Sequence, residues 1–483
     1  MPQEIEVDPS NFIEKGAFGS VYRGKCRGKD VAIKILHKPI TDQETLIAFK
    51  QEVSIMSTIF HPNICLFMGA CTQPGRFFIV QEYMPGGDVE KLLRNPHVSM
   101  TLYRRMQMAY DAALGVNWLH CSNPAFIHRD LKSSNLLVDD NGKVKVCDFG
   151  LAQVKPNAAN LIDEDHARGT PLWMAPEVMQ FKEFNEKADV YSFGIVLWEL
   201  LTRKEPFSHH KVYSKFRKAV CEKYERPEIP EDTVPSLARL IKQCWAPDPK
   251  VRPSFKEIIT HLEHILVDVA VSDEIGRTLW KEYFLGQERV EWGEFVKALV
   301  ATLGLKINDP QFKDTLEIHL KCLNAVLVTH PKSHTGLSKG DIVTVQNWGR
   351  ILMWFGPIKD PQTTPQNDTF MQYLSRVIQE PWFHGDTDPQ RALELLTAKP
   401  NGTFMVRFSS VDGWYTISQN IGRQIQHQRV SHVPGGPYII DNDSYTDLHD
   451  LVERRGLKQP CEGSKYALLF GDNQTPYYNP YNL

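Results

Sequence analysis

"HRDLKSSNLL", residues 128–137, decides how this chain is read. It sets a carboxylate (Asp130), an ammonium (Lys132) and an amide (Asn135) within a few residues of one another. Transfer of a phosphoryl group needs a backbone cradle for phosphates, a lysine on them, metal-holding side chains and a group that orients the acceptor hydroxyl. Asp130 suits the last of these tasks, and Asn135 suits a metal. The other parts stand on either side. Downstream, "CDFG" (147–150) supplies Asp148 for a second metal contact. Upstream, "VAIK" (31–34) puts Lys34 at the end of a predicted strand rich in β-branched residues. Leu46, Phe49, Val53 and Met56 recur at helical spacing, and Glu52 sits beside that apolar face, placed to pair with Lys34. Before them, "IEKGAFGSVYRG" (13–24) has Gly16 and Gly19 bracketing Ala17 and Phe18, with Val21 following. Glycine lets phosphate oxygens approach the backbone because no Cβ stands in the way. Glu14 replaces the first glycine usual in such a loop. Its carboxylate weakens triphosphate binding if it points inward.

The motifs continue in order: "APE" ending at Glu177, "ADVYSFGIVLWEL" (188–200) with Asp189, and "CWAPDPKVRPSF" (244–255) with Arg252. Together they resemble a eukaryotic protein kinase domain over residues 10–266. The resemblance implies a bilobal fold and a magnesium–ATP site. It assigns catalysis to Asp130, Lys132, Lys34 and Glu52, and the metal to Asn135 and Asp148. The nucleotide contacts it implies are Ile13, Gly16, Ala17, Phe18, Gly19, Val21, Ala32, Lys34 and the hinge residues Glu82 and Met84, with Gln81 as gatekeeper. Asp189 and Arg252 are expected to be structural, Arg252 as the buried partner of Glu177. Lys132 and Thr170, in "GTPLWMAPE", match serine/threonine kinases, and Leu172 stands where tyrosine kinases carry a basic residue. "WMAPE" is shared with tyrosine kinases, so the mixture resembles the tyrosine-kinase-like group. Dual specificity therefore stays open. A pseudokinase scaffold and a tyrosine kinase are the alternatives; intact Lys34, Glu52, Asp130, Asn135 and Asp148 oppose the first, and Lys132 with Thr170 the second.

Between Asp148 and Glu177 the only hydroxyl side chain is that of Thr170. A carboxylate of "DEDH" (163–166) paired with Arg129 would order this segment without phosphorylation; a solvated acidic loop is the alternative reading.

From residue 381 the pattern changes. "WFHG" (382–385) and "GTFMVRFS" (402–409) resemble the opening and second strand of an SH2 domain, here spanning residues 381–470. Strand alternation puts Arg407 and Ser409 on one face, and His427 shares a face with Arg429 on the neighbouring strand. The resemblance makes these four, with Ser410 from the following loop, the phosphotyrosine site; arginine's planar fork suits bidentate phosphate binding. Phe408 departs from the family's usual glutamate, and the family's helix arginine aligns with Pro389, two residues from Arg391. Kinase first and SH2 second is the order of amoebozoan SH2-bearing kinases.

Residues 267–380 read as a helical connector whose aromatic residues need burial. "KSHTGLSKGDIV" (332–343) lacks the acidic ligands of a calcium loop. The expected architecture is thus an α+β multidomain chain: an N-terminal segment (1–9), a bilobal kinase fold, the connector, an SH2 fold with a central antiparallel sheet flanked by two helices, and a tyrosine-rich tail (471–483). Tail residues Tyr477, Tyr478 and Tyr481 are candidate ligands for the chain's own SH2 domain.

Composition agrees with a globular chain of 483 residues, 42% hydrophobic and 23% charged. A formal net charge of −3 without a polybasic run gives no reason to expect nucleic-acid binding. "FGIVLWELL" (193–201) is too short to span a bilayer. The N-terminal stretch has no apolar core, so no signal peptide is expected, and Pro2 excludes myristoylation. Nine dispersed cysteines suit reduced cytosolic thiols. These features predict a cytoplasmic chain whose partners are protein substrates and phosphotyrosine proteins, any membrane recruitment coming through the latter.

Overall fold

The computed structural model describes residues 5–15, 19–36, 43–73, 76–154, 170–305, 313–328, 341–359, 369–422 and 424–466. The glycine-loop residues 16–18, the acidic stretch 163–166, most of the candidate calcium loop and the tail tyrosines lie outside them. The chain divides into two compact units, Met1–Leu266 and Val267–Leu483.

The first unit begins with strands β1 (Ile5–Lys15), β2 (Gly19–Cys26), β3 (Lys29–Leu36), β4 (Phe67–Gln73) and β5 (Arg76–Glu82). They pair antiparallel in the order β1-β2-β3-β5-β4. Arg27 and Gly28, both at positive φ, make the two-residue turn that joins β2 to β3. Alternation along β3 buries Val31 and Ile33 completely and turns Lys34 the other way. Helix α1 (Gln43–Thr58) seats Phe49 edge-on against Phe77 of β5, ring centroids 5.5 Å apart.

Below the sheet lie α2 (Val89–Arg94), α3 (Leu102–Cys121) and α4 (Lys187–Thr202). Thr101 caps α3 by accepting from the Arg104 amide. Helix α4 is buried over Ala188–Leu200, including Asp189, Ser192 and Glu199, so it is the axis on which this part is packed. The short antiparallel strands β6 (Leu136–Val138) and β7 (Val144–Val146) follow the two motif-bearing turns. The α5 (Tyr213–Glu222) and α6 (Phe255–Ala270) helices follow, with a ten-residue helix, Pro235–Cys244, between them in the chain. Arg252, 1% exposed, grips both oxygens of Glu177 at 2.6 and 2.9 Å. Removing either partner would leave a buried unpaired charge.

The second unit starts with α7 (Glu274–Tyr283), α8 (Trp292–Leu303), α9 (Lys313–Leu327), α10 (Val345–Phe355) and α11 (Phe370–Ile378). Trp280 and Trp348 are fully buried, and Phe295 lies between them, 6.3 Å and 5.1 Å away. This is the burial their aromatic side chains demanded. The helical reading missed a strand pair, Arg289–Glu291 with Ile342–Thr344. Only Val290 and Val343 at its centre are buried, and three residues are too few for a period to register.

Strands β8 (Phe383–Gly385), β9 (Thr403–Phe408), β10 (Tyr415–Ile421) and β11 (Gln424–His432) are the first four of a seven-stranded sheet that also takes in Tyr438–Ile440, Asp443–Tyr445 and Gln459–Pro460. Among these four the first pair is parallel and the others antiparallel, and Gln459–Pro460 joins β9 in parallel. Helix α12 (Pro389–Thr397) covers one face through Ala392 and Leu396 against Met405; α13 (Leu448–Arg454) follows later. The connector is packed onto this sheet. Trp354 of α10 stacks on Phe408 at 4.0 Å and donates its indole N–H to the Trp414 carbonyl at 2.9 Å. Tyr415 returns a hydrogen bond to the Trp354 carbonyl at 2.7 Å. Phe408 also lies against Phe355, Phe383 and Tyr415. A glutamate in its place would bury a carboxylate among rings.

Among the described residues, buried Glu199 of α4 has no cationic hydrogen-bond partner. It accepts from the Ser133 hydroxyl at 2.8 Å and the Trp173 indole at 2.7 Å. Burial pushes its carboxyl up to about 8, more than these two bonds lower it. Between its ordinary value of 4.5 and about 8, the folded chain keeps a proton that the unfolded chain releases. Folding stability from this group therefore falls as pH rises through that window, by at most about 1.4 kcal/mol per pH unit. Chemical denaturation at a series of pH values should show Glu199→Gln to be flatter than wild type between pH 5 and 8.

Candidate active site and phosphate-binding pocket

A cleft opens between the first sheet and the β6–β7 region. Its apolar walls include Ile13, Val21, Ala32, Met84 and Leu137, and its polar end holds Lys34, Glu52, Asn135 and Asp148. The Lys34 ammonium lies 3.1 Å from Glu52 and 3.0 Å from Asp148, so the pairing anticipated from helical spacing is formed. Burial alone would lower the lysine's pKa, but the two carboxylates outweigh it and raise the value. Asp148 is correspondingly lowered despite burial, chiefly by Lys34. Glu52 is raised, by burial first. Asp148 has a left-handed φ of 62°, a conformation that costs energy in a non-glycine residue.

Asp130 stands a short way along. Its Oδ1 accepts from both the amide and the hydroxyl of Thr170, at 3.1 and 3.0 Å. Lys132 reaches the same two side chains, 2.8 Å from Asp130 Oδ2 and 2.6 Å from Thr170 Oγ1. The Asn135 amide nitrogen donates to the Asp130 backbone and side chain at 2.7 and 3.1 Å. That orientation leaves Asn135 Oδ1 as the atom free to take a cation. Behind them, Asp189 accepts the backbone amides of His128 and Arg129, each at 2.8 Å. Arg129 is held at φ 68°, its guanidinium over the Phe184 ring.

The residues present fit a nucleotide and a divalent ion. The walls offer apolar surface for a flat ring, Lys34 is held charged for phosphate, and Asn135 with Asp148 offers hard oxygen donors. Gly19 fits its place because a Cβ there would strike the Ile35 carbonyl. Glu82 lines the cleft, but its carboxylate is engaged by Lys145 at 2.7 Å and by the Leu66 amide. What it offers a ligand is its backbone. Gln81 turns its amide toward Met56 of α1. Glu14 turns to Lys91 of α2, 2.9 Å away across the mouth of the cleft, and Lys91 also meets Asp88 at 2.8 Å. Sequence reasoning missed Leu137, Asp88 and Lys91. Leu137 sits in the opening motif, one residue past the buried Leu136, so alternation could have found it. Nothing local marks Lys91.

In the second unit, Arg407 is 5% exposed. Its Nε donates to Ser418 Oγ at 3.1 Å, and its Nη1 to the Phe408 carbonyl at 3.3 Å. Ser418 also contacts His427 Nδ1 at 2.9 Å. Register pairs Ser418 with His427 and Thr416 with both Arg407 and Arg429, so these side chains share a face. Ser409 is buried at the strand end and accepts the Val411 amide; Ser410 is exposed. Arg391, two residues from the position of the family's helix arginine, pairs with Glu394 at 2.8 Å. Ser418 was missed, although alternation in "WYTISQ" puts it on the arginine's face.

A family model for protein tyrosine and serine/threonine kinases matches residues 7–262. The chain belongs to the protein kinases. A model of the SH2 domain matches residues 382–454 of the same kinase. It is 50% identical over 461 residues to the dual specificity protein kinase shkC of Dictyostelium discoideum, covering 94% of this chain and 90% of that one. Identity to the dual specificity protein kinase shkA of the same organism is 44% over 497 residues, covering 99% and 92%. The serine/threonine-protein kinase CTR1 of Arabidopsis thaliana is 46% identical over 256 residues, 53% of this chain and 31% of that one. As a protein kinase the chain uses ATP and a divalent metal.

Two outcomes follow from these contacts. An exposed ion pair contributes about 0–1 kcal/mol, so Glu14→Gly should change the kinase's KM for ATP by no more than about fivefold. Lys91→Ala leaves the Glu14 carboxylate uncompensated and should raise that KM, with Glu14→Gly/Lys91→Ala restoring it; steady-state kinetics on the cycle checks this. In the SH2 pocket, Trp354→Ala should cost about 3–5 kcal/mol of stability in the second unit. It should weaken a phosphotyrosine peptide by about tenfold, near 1.4 kcal/mol, while Trp354→Phe retains most binding. Thermal melting and peptide titration measure the two effects.

Proposed function

We propose that the kinase transfers the γ-phosphoryl group of Mg2+-ATP mainly to serine and threonine hydroxyls, with tyrosine as a lesser acceptor, and is recruited to phosphotyrosine proteins through Arg407. The observation that carries the acceptor assignment is the Asp130–Thr170–Lys132 cluster. Asp130 is oriented by the Thr170 amide and hydroxyl, in position to accept the acceptor's proton. Lys132, 2.8 Å from Asp130, puts a positive charge where a short hydroxyl and a phosphate would meet. Lys34, fixed by Glu52, would hold the phosphates, and Asn135 with Asp148 would hold the ion. ATP with Mg2+, when bound, supplies the phosphoryl group and spreads its charge over the metal. The relatives' dual specificity names support the tyrosine component.

Arg407, Ser409, Ser410, His427 and Arg429 would bind the phosphotyrosine, with Ser418 orienting Arg407. No helix among the described residues is long and apolar enough to cross a membrane. A cytoplasmic kinase brought to membrane complexes by phosphotyrosine partners is consistent with that.

Purified chain, labelled ATP and a mixed protein substrate, followed by phosphoamino-acid analysis, test this reading. Phosphoserine and phosphothreonine should dominate, and Asp130→Asn should lower kcat by about 10²-fold or more. Mostly phosphotyrosine would overturn the acceptor assignment, and unchanged labelling in Asp130→Asn would overturn the role of that residue. Arg407→Ala should abolish phosphotyrosine-peptide binding without changing turnover of a short unphosphorylated peptide.

A further inference from the structure

Away from the cleft, the segment between α4 and α5 turns at Phe207, whose φ is 51°. The turn sets His209 and His210 on one side, ring centroids 4.2 Å apart. An extended chain would send neighbours to opposite sides. Both Nε2 atoms aim at one oxygen: His209 is 2.9 Å and His210 2.8 Å from Glu225 Oε1. One ligand atom from each of the three residues lies within 4.8 Å of the others, and no other such group of three occurs among the described residues.

The frame holds these groups in place. The His210 amide donates to the Phe207 carbonyl at 2.9 Å, and its ring meets Phe216 of α5 edge-on at 5.8 Å. The Glu225 amide donates to the Ala219 carbonyl at 3.0 Å. Arg226, the next residue, is anchored to the Trp245 carbonyl at 3.0 Å. Two segments on either side of α5 are therefore presented to each other with their donor atoms converging.

We propose that His209, His210 and Glu225 form a binding site for a first-row transition-metal ion, Zn2+ above all, with water completing the coordination. Two imidazoles and a carboxylate with one open position form a donor set that suits zinc. The set differs in kind from the oxygen donors of Asn135 and Asp148, which suit magnesium. Metal bonds of about 2.0 Å put tetrahedral ligands about 3.3 Å apart, so the present contacts need open by only a fraction of an ångström. In each neutral imidazole the Nε2 proton moves to Nδ1 as Nε2 takes the metal. A metal competes with protons for imidazole nitrogen, so binding weakens in acid. The bound ion ties the α4–α5 connection to the chain that leaves α5, fixing that helix at both ends.

The test is a titration of the metal-stripped full chain with Co2+ in excess Mg2+, followed by visible absorption. One equivalent should bind with the spectrum of nitrogen and oxygen ligands, lacking the thiolate band that the free cysteines would give, and Zn2+ should displace it. His209→Ala and Glu225→Gln should each lose that equivalent. His209 is 65% exposed, so its replacement leaves the fold intact. No bound Co2+, a thiolate-type spectrum, or the same equivalent in both variants would overturn the proposal and leave a histidine–carboxylate hydrogen-bond cluster.

Discussion

A carboxylate with no exposure to solvent organises the first unit. Asp189 sits on the buried face of α4 and accepts two successive backbone amides, those of His128 and Arg129, and the His120 ring. Burial would raise its pKa, but the bond to His120 and its neighbours outweigh that and lower it. An ionised buried carboxylate must be fully hydrogen-bonded, and this demand fixes the backbone that supplies the donors. Arg129 is thereby held in a left-handed conformation, and the next residue, Asp130, is delivered toward Thr170 and Lys132. The geometry around Asp130 thus begins with a residue wholly buried in α4.

The second unit answers to a different constraint. Its candidate phosphate pocket is built around a buried arginine, Arg407. Arg407 lies on a strand whose other face is occupied by rings, and Phe408 makes that face continuous with Trp354 of the connector. The loop after the strand is held as well, by the Trp354 indole on the Trp414 carbonyl and by Arg350 on Asp412 at 3.1 Å. Residues read from sequence as a connector therefore support the pocket from behind.

What could be read from sequence follows from how narrowly chemistry restricts each position. The nearness of Lys34, Glu52, Asp130, Asn135 and Asp148 was legible because their order repeats a known pattern, and it is this nearness that the contacts bear out. The place of Arg407 on its strand was legible for the same reason. The Phe408–Trp354 stack was not, since any large ring could fill either position and the two lie far apart in the chain. The Glu14–Lys91 bridge spans 77 positions, and neither charge is distinctive alone. The strand pair around Val290 and Val343 is too short to show a period. Long-range packing, with its tolerance of alternatives, is what a single sequence leaves undetermined.

The two candidate anion sites differ in charge. In the cleft one ammonium, Lys34, faces two carboxylates, Glu52 and Asp148. That set is net negative and repels a triphosphate until a divalent cation joins it. In the pocket Arg407 hydrogen-bonds a serine hydroxyl and a backbone carbonyl, both neutral. The Asp388 carboxylate acts on it as well, favouring the charged guanidinium that a phosphate would need. Glu14 lies on the rim of the first site and is paired with Lys91, so its charge is offset by a residue that the sequence alone does not place beside it.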